Sequence, residues 1–216
     1  MTNKIFWDDP YRTMLDTRVT SVEGEEITVA ETIFYAFSGG QESDAGTIGG
    51  HAVLQARMDG REIRYALGAN HGLAVDDKVR IEIDWLRRYR LMRLHFAAEL
   101  ILELTCNALA DVEKIGAHIS PDKARIDFRV DATAPHNISV LFPELTAAAQ
   151  TIIDADTAII SAFSDETDER RYWEVPGLAR VPCGGTHLKR TGEVGRLSLK
   201  RKNVGRGKER IEIYVD

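Results

Sequence analysis

The sequence predicts a mixed α+β protein in which a β-rich N-terminal part precedes a part where helices and strands alternate. Residues 13–84 contain short alternating segments rich in β-branched side chains, separated by glycine-containing turns. Residues 86–110 contain neither Gly nor Pro, and their apolar residues recur at helical spacing. Because antiparallel hairpins and helices follow one another after this segment, we expect a layered α+β sheet. The expected domains are residues 1–84 and residues 85–216.

Two hairpins and a closing strand are expected in the N-terminal part. The first hairpin spans residues 13–35 and turns at Glu23-Gly24-Glu25, with β-branched alternation on both sides. The second, "AVLQARMDGREIRYAL", turns at Asp59-Gly60. Between the two hairpins lies the glycine-rich loop "FSGGQESDAGTIGG", and "DDKVRIEIDW" is the closing strand.

The C-terminal part opens with the longest predicted helix, "LRRYRLMRLHFAAELILELTCNALA", which is composed mostly of good helix formers. A strand is then expected at Lys123–Val130, followed by a helix within "NISVLFPELTAAAQTIIDAD", with Pro143 near its start. "TAIISAFS" predicts a further strand. The tail "GRLSLKRKNVGRGKERIEIYVD" predicts two strands joined by a loop rich in Gly, Lys and Arg.

Charge is unevenly distributed along the chain. The net charge is -6, yet residues 187–216 contain nine Lys or Arg and four Asp or Glu, a local net charge of +5. A basic tail on an acidic body is typical of a localised anion-binding surface, such as one for nucleic acid. A solvated strand pair with mixed charges explains the same count, so composition alone leaves both interpretations open.

Composition also bounds the compartment. The chain has no run of eighteen apolar residues, and its first residues lack the apolar segment of a signal peptide. Its two cysteines, Cys106 and Cys183, do not suggest a disulfide framework. We therefore expect a cytoplasmic protein with no membrane partner.

Two pairs of residues have the spacing of metal ligands. His95 and Glu99 are four residues apart on the predicted helix, so both side chains lie on one face. Cys183 and His187 are the first and last residues of the segment "CGGTH". Together they offer N, O, S and N donors, all of which bind zinc in tetrahedral geometry. Each pair also has an ordinary interpretation: a surface pair or a carboxylate-bonded core histidine on the helix, and a tight turn at "CGGTH".

Three motifs and the C-terminal tail resemble segments of the editing domain of alanyl-tRNA synthetases and its freestanding relatives, the AlaX proteins. "SGGQESDAGTIG" resembles the family's GGGQ-x-x-D-x-G stretch, and "RLMRLHFAAEL" resembles its HTxxH helix. "VPCGGTHLKRTGEVG" is similar to its CxxTH segment, and "KRKNVGRGKERIEIYV" to its closing hairpin. The resemblance covers nearly the whole chain. With 216 residues the chain has no room for the synthetase's other modules, so the freestanding protein is the better match.

This resemblance implies a zinc-dependent deacylase that acts in trans on mischarged tRNA(Ala), carrying serine and in some cases glycine. It implies a small β-barrel-like N-terminal domain followed by an α/β two-layer sandwich editing domain. The implied zinc ligands are His95, Glu99, Cys183 and His187. The implied substrate contacts are Gly39, Gly40, Gln41, Thr47 and Thr186, with Gln41 near the ester. The residues expected to contact tRNA phosphates are Lys200, Arg201, Lys202, Arg206 and Lys208, with Arg210 beside them.

Three positions depart from the family pattern. Glu99 replaces the second helical His, Phe96 replaces the Thr after His95, and Ser38 replaces the first Gly of GGGQ. Glu99 is either the fourth ligand, which would make the metal less electrophilic, or a general base beside an open metal position. Two other functions remain open: an AlaX-like protein that binds tRNA or another nucleic acid without hydrolysis, and a metallohydrolase of small esters or amides.

Overall fold

The computed structural model describes residues 2–109, 112–130, 138–205 and 207–216. It divides into two compact units, Met1–Tyr89 and Arg90–Asp216. Strands predominate over the two α-helices in this part of the chain, so the mixed α+β prediction is confirmed.

The first unit is almost entirely β-structure. Seven of its strands form an antiparallel sheet in the order β6-β5-β9-β2-β3-β8-β7, and β1 pairs with β4 in parallel. The strands are β1 (Asn3–Lys4), β2 (Met14–Glu23), β3 (Glu26–Val29), β4 (Glu31–Thr32), β5 (Gly46–Ile48), β6 (His51–Ala52), β7 (Gln55–Asp59), β8 (Glu62–Ala66) and β9 (Lys78–Ile83).

Both predicted hairpins are confirmed. β2 and β3 close at the pair Glu23↔Glu26, and β7 and β8 close at Asp59↔Glu62. The turns contain Gly24 at φ +64° and Gly60 at φ +59°. Glycine adopts this left-handed conformation without the steric cost that a Cβ brings, which is why glycine signals the turns in the sequence.

The core of the first unit is built from apolar side chains that alternate with exposed residues along its strands. In β9 the buried side chains are Val79, Ile81 and Ile83, and the residues between them are exposed. They pack in one cluster with large side chains such as Phe34 and Tyr65. Each large apolar side chain so buried contributes roughly 1.5–3 kcal/mol.

A buried ion pair holds the glycine-rich loop of the first unit. Arg88 is fully buried and donates hydrogen bonds from Nε and Nη2 to the two carboxylate oxygens of Asp44. It also donates to the carbonyl oxygens of Pro10 at 2.8 Å and Ile33 at 2.6 Å. Asp44 accepts a further hydrogen bond from the backbone N–H of Tyr35 at 2.7 Å. One guanidinium thus joins three separate segments of the chain.

The second unit combines helices with two antiparallel sheets. The sheet orders are β10-β11-β16-β15 and β12-β13-β14. The division between the units falls inside the first helix, after Tyr89. The elements are α1 (Trp85–Ala108), β10 (Glu113–Ile119), β11 (Ala124–Arg129), α2 (Phe142–Asp154), β12 (Ile160–Asp165), β13 (Arg170–Val175), β14 (Ala179–Pro182), β15 (Leu197–Asn203) and β16 (Lys208–Val215).

Most of the predicted elements of this unit are confirmed. Helix α1 and strands β11, β12, β15 and β16 lie where the patterns placed them. The second predicted helix exists as α2 after a 3₁₀ turn at Ile138–Leu141, while Asn137, where the prediction began, lies outside the described residues.

Three strands of the second unit, β10, β13 and β14, were not predicted. In β10 the pairing register shifts between Lys114 and Gly116, which interrupts alternation. In β13 the buried face includes Arg171 beside Trp173 and Val175. Because charged residues are normally expected to be exposed, the buried Arg171 hides the alternation of buried and exposed residues in the sequence of β13.

We predict that Arg88→Met lowers the free energy of unfolding by about 3–5 kcal/mol, because Asp44 would keep a buried charge with no cation beside it. Chemical denaturation measures the loss. The matched control is Arg80→Met, which removes an exposed pair with Asp16 and is expected to cost far less, because a solvent-exposed ion pair contributes little to stability. Equal losses for the two variants would contradict the anchoring role.

Candidate metal centre

Helix α1 carries two of the predicted ligands on one face. His95 and Glu99 have only 6% and 16% of their side-chain surface exposed, and His95 Nε2 lies 3.6 Å from Glu99 Oε1. The residues around them, among them Ala97, Ala98 and Leu100, are buried. A helix that is apolar on most sides lies in a core, so these two polar side chains need partners there.

The segment after β14 supplies the partners. The backbone N–H of Cys183 donates to the carbonyl of Arg171 at 2.9 Å, which extends the β13–β14 pairing by one residue. The chain then turns through Gly184 and Gly185, and the N–H of Gly185 points to Cys183 Sγ at 3.5 Å. His187 is buried four residues after the cysteine.

Helix and turn bring all four donors together. Cys183 Sγ lies 3.5 Å from His95 Nε2, and His187 Nε2 lies 3.2 Å from Glu99 Oε2. One ligand atom from each of the four residues lies within 4.8 Å of every other. Donors around a single tetrahedral zinc stand roughly 3.3–3.8 Å apart, given bonds of about 2.0–2.3 Å. The two closest contacts, at 3.5 and 3.2 Å, are near this spacing, so the cluster has the donors to hold a metal ion.

A backbone contact orients His95. Its Nδ1 lies 3.2 Å from the carbonyl oxygen of Thr186, which can only accept a hydrogen bond. Nδ1 donates to this carbonyl, and Nε2 on the other side of the ring faces Cys183 and Glu99. A contact of this kind would hold the His95 ring in place if a metal bound at Nε2. No pattern in the sequence predicts this backbone contact of Thr186.

The four groups perturb one another electrostatically. Burial raises the pKa of Glu99, but His95 and the hydrogen bond from His187 outweigh that effect and lower it to about 2. Burial raises the pKa of the Cys183 thiol, and the charge of Glu99 adds to the rise. Burial lowers the pKa of His187, but hydrogen bonds with Cys183 and Glu99 raise it above its usual value. A metal bound here would therefore displace protons from Cys183 and His187.

Comparison with known proteins identifies the family. The model of the threonyl and alanyl tRNA synthetase second additional domain matches residues 178–212, which include Cys183 and His187. The alanyl-tRNA editing protein AlaX-M of Pyrococcus horikoshii is 30% identical over all of this chain and 99% of its own length. AlaX-M of Saccharolobus solfataricus is 31% identical with the same coverage. The chain belongs to the AlaX family of alanyl-tRNA editing proteins.

The same resemblance extends to part of a larger enzyme. The alanine–tRNA ligase of Ignicoccus hospitalis is 31% identical over 99% of this chain but over only 26% of the ligase. By contrast, the match covers 99% of the length of both AlaX-M proteins, as expected for a relative of the freestanding proteins. Neither described α-helix has an apolar stretch long enough to cross a membrane.

Phe96, which departs from the AlaX motif, lies in the core of the second unit. It is fully buried and meets Trp173 in a T-shaped contact, with ring centroids 5.2 Å apart and an interplanar angle of 73°. Among the described residues, Trp173 Nε1 is the one buried side-chain N or O atom with no hydrogen-bond partner. The position beside His95 therefore presents an apolar ring where the AlaX motif has a hydroxyl.

The predicted substrate contacts fall in both units. Gly39 and Gly40, at φ +59° and +91°, form a two-residue turn in which the backbones of Ser38 and Gln41 pair with each other. Gln41 is 1% exposed, and Thr47 lies on β5. These residues belong to the first unit, whereas Thr186 and the four candidate ligands belong to the second.

The basic tail of this AlaX protein forms the hairpin β15–β16. Arg201 donates to both carboxylate oxygens of Glu209, at 2.6 and 2.5 Å, so its charge is neutralised locally. Lys200 lies 4.8 Å from the ring centre of Tyr214. Lys202 and Lys208 are exposed, and Arg206 lies outside the described residues. The described residues among the five predicted tRNA contacts therefore differ in exposure and in whether a carboxylate neutralises their charge.

We predict that Cys183→Ser greatly reduces the zinc that co-purifies with the protein, because a hydroxyl is a much poorer zinc donor than a thiolate. Elemental analysis of protein purified without chelator measures it. Cys106→Ser is the matched control: Cys106 is exposed on α1, and its loss is expected to leave the zinc content unchanged. Full zinc content in Cys183→Ser would rule this thiol out as a ligand.

Proposed function

We propose that the chain is a trans-editing aminoacyl-tRNA deacylase that hydrolyses mischarged tRNA(Ala), with seryl-tRNA(Ala) as its substrate, at a zinc site. One observation carries the proposal: four zinc-type donors, from helix α1 and the "CGGTH" turn, lie within 4.8 Å of one another. This cluster occurs in a chain whose full-length relatives are named alanyl-tRNA editing proteins.

The proposed zinc ligands are His95, Glu99, Cys183 and His187. When bound, zinc supplies Lewis acidity for a water molecule or the ester carbonyl. The thiolate of Cys183 and the carboxylate of Glu99 would together balance the double positive charge of the ion. A metal bound by Glu99 is therefore less electrophilic than one bound by the second helical histidine of the family pattern.

Glu99 is better suited to binding the metal than to acting as a general base. Burial raises the pKa of Glu99, but His95 and His187 lower it by more, which favours the ionised form in which a carboxylate binds a metal. Its two oxygens also lie near both histidines, at 3.6 Å from His95 and 3.2 Å from His187. A carboxylate with that placement and acidity orients the imidazoles and binds a cation.

Substrate selection is assigned to polar groups outside the ligand set. Discrimination of serine from alanine requires a group that bonds the extra hydroxyl, because such a site rejects the analogue that lacks it. We propose Gly39, Gly40, Gln41, Thr47 and Thr186 as the substrate-binding residues. The core position of Phe96 supports assigning this task to these residues and not to the helix.

Two further assignments rest on the family resemblance. The first is a β-barrel-like domain of residues 1–84 followed by a two-layer sandwich domain of residues 85–216. The second is contact between tRNA and the hairpin residues Lys200, Arg201, Lys202, Arg206 and Lys208. Of the described members of this set, Lys202 and Lys208 are the best suited, because both are exposed and neither forms an ion pair with a described carboxylate.

Purified protein incubated with a panel of aminoacyl-tRNAs tests the function. Seryl-tRNA(Ala) should be deacylated and alanyl-tRNA(Ala) left intact, with loss of activity after chelation and recovery on adding zinc. Binding of tRNA without release of any amino acid would instead support the non-hydrolytic alternative. Hydrolysis of small esters but of no aminoacyl-tRNA would point to the metallohydrolase.

Substitutions of Glu99 distinguish a role as a zinc ligand from a role as a general base. If Glu99 is a ligand, Glu99→His should retain zinc and deacylation, because imidazole restores the usual family donor set. Glu99→Gln should lose metal, because a neutral amide is a weak zinc donor. Zinc content and single-turnover rates of both variants are the measurements.

The opposite outcome has its own signature. Retention of zinc in Glu99→His and Glu99→Gln, with a loss of about 10²-fold or more in rate, would assign Glu99 as the base. Unchanged metal content and unchanged rate in both variants would contradict either role.

A further inference from the structure

The four-stranded sheet of the second unit has one apolar face and one charged face. Its inner face consists of buried side chains such as Ile126, Phe128, Ile211 and Ile213. Because side chains alternate along a strand, the residues between them point to the opposite side. This outer face, defined on β10, β11, β16 and β15, contains Glu113, Gly116, His118, Arg125, Asp127, Arg129, Ser198, Lys200, Lys202, Lys208, Arg210, Glu212 and Tyr214.

Strand pairing sets the charge of the outer face. Arg125 lies opposite Glu212, which lies opposite Lys200, and Asp127 lies opposite Arg210, which lies opposite Lys202. Arg129 lies opposite Lys208 at the end of the sheet. The face thus has six Lys or Arg against three carboxylates, a net charge of +3, on a protein whose net charge is -6.

Each carboxylate at the centre of the face is outnumbered by cations. Asp127 accepts hydrogen bonds from both Arg125 and Arg210. Glu212 accepts from Lys123 at 2.6 Å and from the hydroxyl of Tyr214 at 3.0 Å, and Lys200 lies over that tyrosine ring. The carboxylates therefore hold the basic side chains in place while leaving an excess of positive charge.

We infer that the outer face binds the phosphate backbone of RNA through residues of both β11 and the C-terminal hairpin. The inference rests on the proposed function, which makes tRNA the macromolecular partner, and extends the contact surface to Arg125 and Arg129. Four of the cations, Arg129, Lys200, Lys202 and Lys208, are exposed, and Arg125 and Arg210 are half-buried beside Asp127. Such an array suits phosphate contacts, which give affinity without sequence preference. Arg201 is excluded, because it lies opposite Ile211, on the inner side, and is bound to Glu209.

Binding of a tRNA(Ala) transcript across a range of salt concentrations tests the inference. Arg129→Glu should weaken binding about tenfold at 0.1 M salt and lower the slope of log affinity against log salt by about one. Arg129→Lys should retain most of the affinity. The combined variant Lys200→Glu, Lys202→Glu and Lys208→Glu should show a larger loss and a flatter slope.

The matched control is Arg170→Glu. Arg129 and Arg170 are both exposed arginines on strands, with 63% and 71% of their side-chain surface exposed, and each forms one surface ion pair. Arg170 lies on β13, in the other sheet, so its reversal should leave binding and salt slope unchanged. Thermal unfolding of each variant checks that a loss of binding is not a loss of folding.

Each outcome separates this inference from the proposed function. If Arg129→Glu binds tRNA like the unaltered protein, the β11 contribution is wrong, even where seryl-tRNA(Ala) is still hydrolysed. If anionic lipid vesicles bind the protein as tightly as tRNA does and with the same loss in Arg129→Glu, RNA is not the specific occupant. If Arg129→Glu weakens tRNA binding while no aminoacyl-tRNA is hydrolysed, the inference stands and the proposed function fails.

Discussion

The second unit depends on one constraint: the carboxylate of Glu99 is ionised in a largely buried place on helix α1. An unpaired charge in such surroundings is strongly destabilising, so cationic or hydrogen-bonding partners must come from elsewhere in the chain. His187, 88 residues away, donates to it, and Cys183 meets His95 beside it. The same contacts that stabilise the helix against the "CGGTH" turn bring together the donors of the candidate metal site.

Neighbouring backbone contacts keep this cluster in register. The carbonyl of Thr186 orients His95, and the amide of Cys183 bonds to Arg171 and continues the pairing of β13 with β14. A shift of one residue in that pairing would move Cys183 to the other face of the sheet. The sheet β12-β13-β14 therefore determines the position of Cys183 Sγ, and the turn from Cys183 to His187 determines the position of His187.

The first unit also contains a buried charge that is paired with a partner distant in the sequence. Arg88 and Asp44 are both buried, and together they join the glycine-rich loop to Pro10, Ile33 and the backbone of Tyr35. This explains why the motif "SGGQESDAG" has an aspartate as well as glycines. The glycines permit the turn at φ +59° and +91°, and the aspartate anchors the end of the loop. The motif thus has a structural role that is independent of any contact with substrate.

The sequence by itself determined the fold class, both N-terminal hairpins and helix α1, because these depend on local periodicity and turn glycines. Short spacings offered the two donor pairs, and the family resemblance joined them into one candidate set. Only the tertiary structure decided that the two donor pairs meet, that Phe96 packs against Trp173, and that Arg201 is neutralised by Glu209. It also decided that Arg129 lies opposite Lys208, although 79 residues separate them in the sequence. Such pairings depend on strand register and on which buried charge finds which partner, and neither leaves a periodic signal along the chain.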